Sequence, residues 1–172
     1  PGTVGGAVRG NAGARYAFCG GEVKDCLTST SVWRDGEELK LTNAACAFGY
    51  RDSVFKHNRD VILKMEIALA AGDKAESLAK TQKIILERGH KHAREPSAGS
   101  FFKNVFLSEW KRDSAELPPR FLEYKKIAAG WLIEQALCKG YAVGGAKISE
   151  SHANFIINAG KATQADVLAV RD

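Results

Sequence analysis

Nine residues, Pro96-Ser97-Ala98-Gly99-Ser100-Phe101-Phe102-Lys103-Asn104, place a hydroxyl, an ammonium and a carboxamide within five positions. In an extended chain alternate side chains point to opposite faces, so Ser100, Phe102 and Asn104 share one and Phe101 and Lys103 the other. Ser97, Ala98 and Gly99 are small enough for the backbone to approach a ligand closely. Such a set can present a proton donor to a bound group. The plainer reading is a loop entering a half-buried strand, with Ser100 bonded to backbone.

Three further motifs carry chemistry-bearing types. Gly49-Tyr50-Arg51-Asp52-Ser53-Val54-Phe55-Lys56 packs an aromatic, a guanidinium and a carboxylate into consecutive positions. Arginine stays charged and can fork onto a carboxylate, although an Arg51–Asp52 surface loop is the simpler alternative. Gly130-Trp131-Leu132-Ile133-Glu134-Gln135 reads as an apolar helix carrying one amide. Gly144-Gly145-Ala146-Lys147-Ile148-Ser149 runs on towards His152-Ala153-Asn154-Phe155-Ile156-Ile157-Asn158. Residues 1–14 hold five glycines without forming a Walker loop or a GxGxxG fingerprint. Backbone N–H groups at that density can converge on an anion or a flat ring edge, or simply build a tight surface loop.

The elements that must position these groups follow from pattern. Residues 22–41 read as a hairpin turning at Asp35-Gly36. Val61, Leu63, Met65, Ile67 and Leu69 alternate as one face of a half-buried strand, opposite Lys64 and Glu66. Gly72 breaks the pattern, and a domain boundary is expected there. Asp73 and Glu76 form a capping-box pattern for a helix to about Arg88, with Ala75, Leu78, Ala79, Ile85 and Leu86 on one stripe. Residues 105–126 read as an irregular insertion broken by Pro118-Pro119. A short helix is expected over Ala128–Cys138, strands over Ala142–Ile148 and His152–Asn158, and a last helix capped by Thr163 with Asp166 three residues on.

Composition narrows the partners. The chain has 172 residues, 45% hydrophobic and 26% charged, as in a globular protein of one domain or two small ones. No apolar run approaches the ~18 residues of a membrane span, and no signal peptide opens the chain. The net charge of +5 comes from scattered Lys and Arg without interleaved stacking aromatics. A small anionic ligand fits, and no nucleic-acid partner is expected. Cys19, Cys26, Cys46 and Cys138 form no CxxC pair and read as free thiols of a reducing compartment. His90 and His92 lack further ligands nearby in sequence, so no metal is expected.

Taken together and in this order, PGTVGGAVRGNAGA, GYRDSVFK, PSAGSFFKN, AGWLIEQ, GGAKISESHANFIINAG and ATQADVL resemble the UDP-N-acetylenolpyruvoylglucosamine reductases, the MurB family. These runs extend from Pro1 to Leu168. The resemblance implies an α+β chain: the second half of a PCMH-type FAD-binding domain over residues 1–72, then a substrate-binding domain over 73–172. It implies a cytoplasmic bacterial flavoprotein in which NADPH reduces FAD. The flavin in turn reduces UDP-N-acetylenolpyruvoylglucosamine to UDP-N-acetylmuramate. On this resemblance Arg51 stabilises the enolate that develops on the substrate carboxylate, and Ser100 protonates the α-carbon, with a neighbour such as Lys103 helping a weak acid. Arg51→Lys should then lower turnover at unchanged melting temperature. Gly2, Thr3, Val4, Gly5, Gly6 and Ala7 match the family's flavin-facing loop. Tyr50, Lys103, Asn104 and Gln135 are assigned to the substrate, with Lys103 and Arg94 near its diphosphate by charge alone. The family's first FAD-binding part and its catalytic glutamate lie outside the matched runs, so a fragment that is inactive alone is expected. Oligomeric state is not readable. Another flavin oxidoreductase of the same fold, or a non-catalytic nucleotide-sugar-binding module, are the competing readings.

Overall fold

The structure, a computed structural model, describes residues 2–16, 19–91 and 93–172. Pro1 and His92, and the side chains of Cys19 and His90, lie outside the described part. The chain divides into two compact units, Pro1–Lys80 and Thr81–Asp172.

In the first unit the N-terminal glycine run is helical. Thr3 is extended and its Oγ1 accepts the Gly6 N–H at 3.0 Å, which starts helix α1 (Val4–Arg9). A loop was expected there; one side-chain cap is enough to recruit the following residues. Strands β1 (Gly13–Tyr16) and β2 (Cys19–Glu22) pair antiparallel. The expected hairpin is β3 (Leu27–Arg34) and β4 (Glu37–Thr42), turning at Asp35 (φ 50) and Gly36 (φ 94) as a type I′ turn requires. β5 (Val61–Ile67) pairs along the other edge of β3. Val8, Leu27, Val32, Cys46 and Phe55 form the core of this unit.

The alternation expected in β5 is corrected by a bulge. Ser31 pairs with Lys64, whereas the next residue, Val32, pairs with Ile62. Leu63 is therefore extra, and the side chains on either side of it change face. Ile62 and Met65 reach the core, while Val61, Leu63 and Ile67 are about half exposed and Leu69 is exposed beyond the strand. The central strand β3 buries Ser29, Thr30 and Ser31. Thr30 Oγ1 donates to Lys64 O and Ser29 Oγ to Glu66 Oε2, both at 2.7 Å, which offsets the desolvation of these hydroxyls.

Helix α2 (Lys74–Lys91) spans the division between the units. Half of the expected capping box forms: the Glu76 N–H donates to Asp73 Oδ1 at 2.8 Å, and the Glu76 carboxylate pairs forward with Lys80 instead. The expected stripe does not form a core, since Leu78, Ile85 and Leu86 are each more than half exposed.

The second unit is built on a sheet ordered β6 (Ser97–Ser100), β11 (Phe155–Asn158), β10 (Ala146–Ile148), β9 (Ala142–Val143), with helix α5 (Gln164–Arg171) packed on β9 and β10. The single strand expected over 142–148 is a hairpin, because Gly144 and Gly145 turn the chain between β9 and β10. A Cβ on Gly145 would lie 2.3 Å from Gly160 O, so only glycine fits. Residues 105–126 are also more regular than expected. They contain β7 (Val105–Phe106), helix α3 (Pro119–Tyr124) and the start of β8 (Lys126–Ile127), which pairs with β7. Pro119 starts α3 at its first position, where the missing N–H costs nothing. Leu117, Phe121 and Ile127 form a small core there, completed by Trp131 and Leu132 of helix α4 (Ala129–Gln135). That helix stops three residues short of the expected Cys138. No described helix is long and apolar enough to cross a membrane.

The cap of α5 forms in full. Thr163 Oγ1 accepts the Asp166 N–H, and Asp166 Oδ2 accepts the N–H groups of Thr163 at 2.9 Å and Gly145 at 3.2 Å. These backbone donors, Thr163 first, hold the Asp166 carboxyl below its usual range. A depressed carboxyl stabilises the fold above its unfolded pKa and loses that contribution as pH falls through its folded pKa. Asp166→Asn should therefore lower the melting temperature at pH 7 and do so much less at pH 3. An equal effect at both pH values, in thermal melts followed by circular dichroism, would contradict this account.

Candidate functional site

Ser100 closes β6, paired with Phe155 of β11. Gly99 before it sits at φ 83, a conformation that disfavours other residues, and swings the chain out of the sheet. The alternation expected for 100–104 consequently breaks. Phe101 packs on the sheet core, and Phe102 lines an apolar cleft with Ile133 and Ile156. Ser100 and Asn104 share a different cleft, of about 360 Å³, with Arg120, Trp131, Glu134 and His152. The Ser100 side chain is exposed, and among the described residues its hydroxyl makes no hydrogen bond. Among the described residues this hydroxyl is not tied to backbone, in contrast to the plainer reading of the motif.

The loop after Ser100 is held by Asn154, which is 4% exposed. Its Oδ1 accepts the Phe102 N–H and its Nδ2 donates to Phe102 O, both at 2.9 Å. Asn104 Oδ1 accepts the Ala129 N–H at 3.1 Å and so satisfies one of the open donors at the start of α4. His152 Nδ1 accepts the Asn154 N–H at 3.2 Å, and its ring lies 4.6 Å from that of Phe155. Burial holds the His152 imidazole below the ordinary histidine range, against a smaller opposing pull from Glu134. The acceptor role of Nδ1 requires the neutral ring protonated at Nε2.

Helix α4 separates two clefts. Trp131 lines both, Glu134 faces the Ser100 cleft, and Gln135 faces a second cleft of about 390 Å³ with Trp110 and Arg112. Gln135 and Asn104 are therefore not neighbours in one pocket. Lys103 is exposed and does not line the Ser100 cleft, so the help expected from it has no support in the geometry.

Tyr50 and Arg51 belong to the first unit. Gly49 and Asp52 bridge to each other, and Arg51 takes a left-handed φ of 54 at the tip of that turn. Its guanidinium donates to the carbonyls of Asn11, at 3.2 Å, and of Gly13, and to Glu22 Oε1 at 3.4 Å. Its Cζ lies 5.4 Å from the Tyr50 ring centroid. Asn11 is fully buried and donates to Gly49 O at 2.8 Å and to Glu22 Oε2 at 3.2 Å. Among the described residues these contacts use three of the five guanidinium N–H donors and leave two.

Sequence reasoning missed Arg120, His152, Asn154 and Asn11. The last three sit inside motifs already singled out, where an Asn or His among small and apolar neighbours marks a side chain that needs partners. Arg120 gave no signal, because its place in the cleft is made by the packing of α3.

The profile described as UDP-N-acetylenolpyruvoylglucosamine reductase, C-terminal domain, matches residues 90–172. The UDP-N-acetylenolpyruvoylglucosamine reductase of Thermotoga maritima is 38% identical over 173 residues, covering 100% of this chain and 53% of that protein. Its counterpart from Lactobacillus delbrueckii subsp. bulgaricus is 41% identical over 170 residues, covering 98% of this chain and 50% of the relative. The crystal structure of UDP-N-acetylenolpyruvylglucosamine reductase (MurB) from Thermus caldophilus superposes with a TM-score of 0.75 at 34% identity, covering 98% of this chain and 54% of that one. The chain spans about half the length of the curated relatives it matches.

Two outcomes follow from the site geometry. The ties of Arg51 to two backbone carbonyls are worth about 1–2 kcal/mol, so Arg51→Ala should lower the melting temperature by about 5 °C. Arg51→Lys, which cannot fork, should lose about half of that. This replaces the unchanged melting temperature expected from sequence, and a wild-type melt for both variants would restore it. In an NMR titration of the folded chain His152 should protonate below pH 6.5. A midpoint at or above that value would show that the ring is not held neutral by burial.

Proposed function

Because the chain belongs to the UDP-N-acetylenolpyruvoylglucosamine reductase (MurB) family, we propose that the protein carrying it reduces UDP-N-acetylenolpyruvoylglucosamine to UDP-N-acetylmuramate. NADPH is the reductant, FAD the cofactor and the bacterial cytoplasm the site of action. Residues 1–72 are assigned to FAD binding and 73–172 to the substrate. The observation that carries the reading is the Ser100 hydroxyl, exposed in its cleft without a hydrogen bond among the described residues.

The residues at the N-terminus fit a flat cofactor. Gly2 and Thr3 just before α1, and Val4 and Gly6 in its first turn, are exposed, and a Cβ on Gly2 would meet nothing within 4 Å. Backbone is thus bared where Gly2, Thr3, Val4, Gly5, Gly6 and Ala7 would lie along a ring edge. Bound there, FAD would supply the hydride for the vinyl carbon of the enolpyruvyl ether.

Hydride addition leaves negative charge on the α-carbon, delocalised as an enolate into the carboxylate. Arg51 is assigned to that carboxylate, and its two unused N–H donors keep this compatible with its ties to Asn11 and Gly13. Ser100 Oγ–H gives its proton to the α-carbon, which completes the lactyl ether. Tyr50, Asn104 and Gln135 are assigned to holding the substrate, Asn104 from the Ser100 cleft and Gln135 from its neighbour.

Ser100→Ala separates the two half-reactions. Reduction of the flavin by NADPH should proceed at nearly the wild-type rate, while reoxidation by UDP-N-acetylenolpyruvoylglucosamine should slow by about 10²-fold or more. Stopped-flow absorbance of the flavin reads both steps. Equal slowing of both steps would remove Ser100 from the proton-donor role.

A further inference from the structure

The Ser100 cleft contains one charge that has no ion-pair partner among the described residues. Arg120 and Glu134 are the formally charged residues lining it, beside the half-buried His152. Glu134 Oε1 is taken by Lys139 Nζ at 2.6 Å. His152 is neutral, because burial lowers its pKa and Nδ1 is an acceptor. Arg120 forms no ion pair among the described residues, and its guanidinium is exposed to the cleft.

That guanidinium is nevertheless oriented. Its Cζ lies 5.0 Å from the centroid of the Phe121 ring, a cation–π contact. Phe121 is 4% exposed and meets Trp131 edge-on, with centroids 5.3 Å apart and ring planes at 69°. Trp131 is itself a wall of the cleft. The core of α3 and α4 thus fixes the plane on which the charge rests. A planar, oriented, uncompensated guanidinium is suited to two oxygens of a phosphate or carboxylate.

Resting on the reading of the preceding subsection, we propose that Arg120 is the anchor for the diphosphate of the sugar nucleotide, forking onto phosphate oxygens while Ser100 faces the enolpyruvyl ether. Lys103 and Arg94, the cations that sequence alone put forward, are exposed and line no wall of this cleft. The substrate carboxylate is already assigned to Arg51. Arg120 is therefore a specificity-determining contact for the nucleotide end and takes no part in the proton transfer.

The test is calorimetric titration of the protein carrying this chain with UDP, which has the diphosphate but no carboxylate. Arg120→Ala should weaken UDP binding by about 10-fold or more, and Arg120→Lys should recover part of the loss, since it keeps the charge without the fork. With UDP-N-acetylenolpyruvoylglucosamine, KM should rise by a similar factor with kcat little changed. Near-UV circular dichroism should stay as in wild type, because the Phe121–Trp131 contact does not involve the guanidinium. UDP binding equal to wild type in Arg120→Ala would overturn the proposal while leaving the reductase reading intact. So would a loss seen for the enolpyruvyl sugar but not for UDP, which would put the guanidinium on the carboxylate. Loss of UDP affinity in a protein that does not reduce the enolpyruvyl sugar would uphold Arg120 and reject the reductase reading.

Discussion

The second unit depends on one buried carboxamide. After Ser100 the chain leaves the sheet, and the backbone groups of Phe102 lose their strand partner. The side chain of Asn154 supplies both missing bonds, one accepted and one donated. Its own N–H reaches His152 Nδ1, and its carbonyl accepts from Phe101 N–H at 2.8 Å. The Phe101 N–H and both backbone groups of Phe102 are thus paired inside the protein, as buried backbone demands. The hydroxyl of Ser100, the imidazole of His152 and the Asn104 cap on α4 are fixed relative to one another because they hang on this net. Replacing Asn154 would leave the Phe102 groups unpaired, so the cleft and the stability of the unit are not separable at this position.

The first unit uses the same device. Asn11 is buried in a left-handed conformation and collects Gly49 O, Glu22 and the Lys24 N–H, which binds Asn11 Oδ1 at 3.1 Å. Arg51 closes the same junction from the other side. An arginine read from sequence as a reserved catalytic group is therefore also a brace. A role on the substrate, as proposed above, is compatible with this brace because a guanidinium has more donors than the brace consumes.

Local chemistry was legible where the partner lies within a few residues. The Asp35-Gly36 turn and the Thr163–Asp166 cap form as their sequences demand, because nothing distant can alter them. The parity of β5 was not legible, since its bulge is set by pairing with β3, about thirty residues earlier. Leu107, Trp110, Leu117 and Phe121 are spaced too irregularly to show a period, and they become a core only against α4. The Gly144-Gly145 hairpin could have been read, since two glycines between apolar pairs are a turn signal that a continuous strand would not carry. Of the site, Ser100 and Asn104 were singled out through their motif and its resemblance, and they share a cleft although the alternation expected between them breaks, whereas Arg120 reaches it across 19 intervening residues that no local pattern announces.

Helix α4 has a length constraint distinct from its composition. Glu134 and Gln135 are consecutive yet look into different clefts, because each residue advances a helix by about 100°. A single deletion between Trp131 and Glu134 would leave every side chain in the helix chemically unchanged. It would nevertheless turn the carboxylate and the amide away from their clefts and pull the Glu134–Lys139 pair off its mark. Point changes on α4 can be graded in effect, but insertions and deletions there are all-or-none.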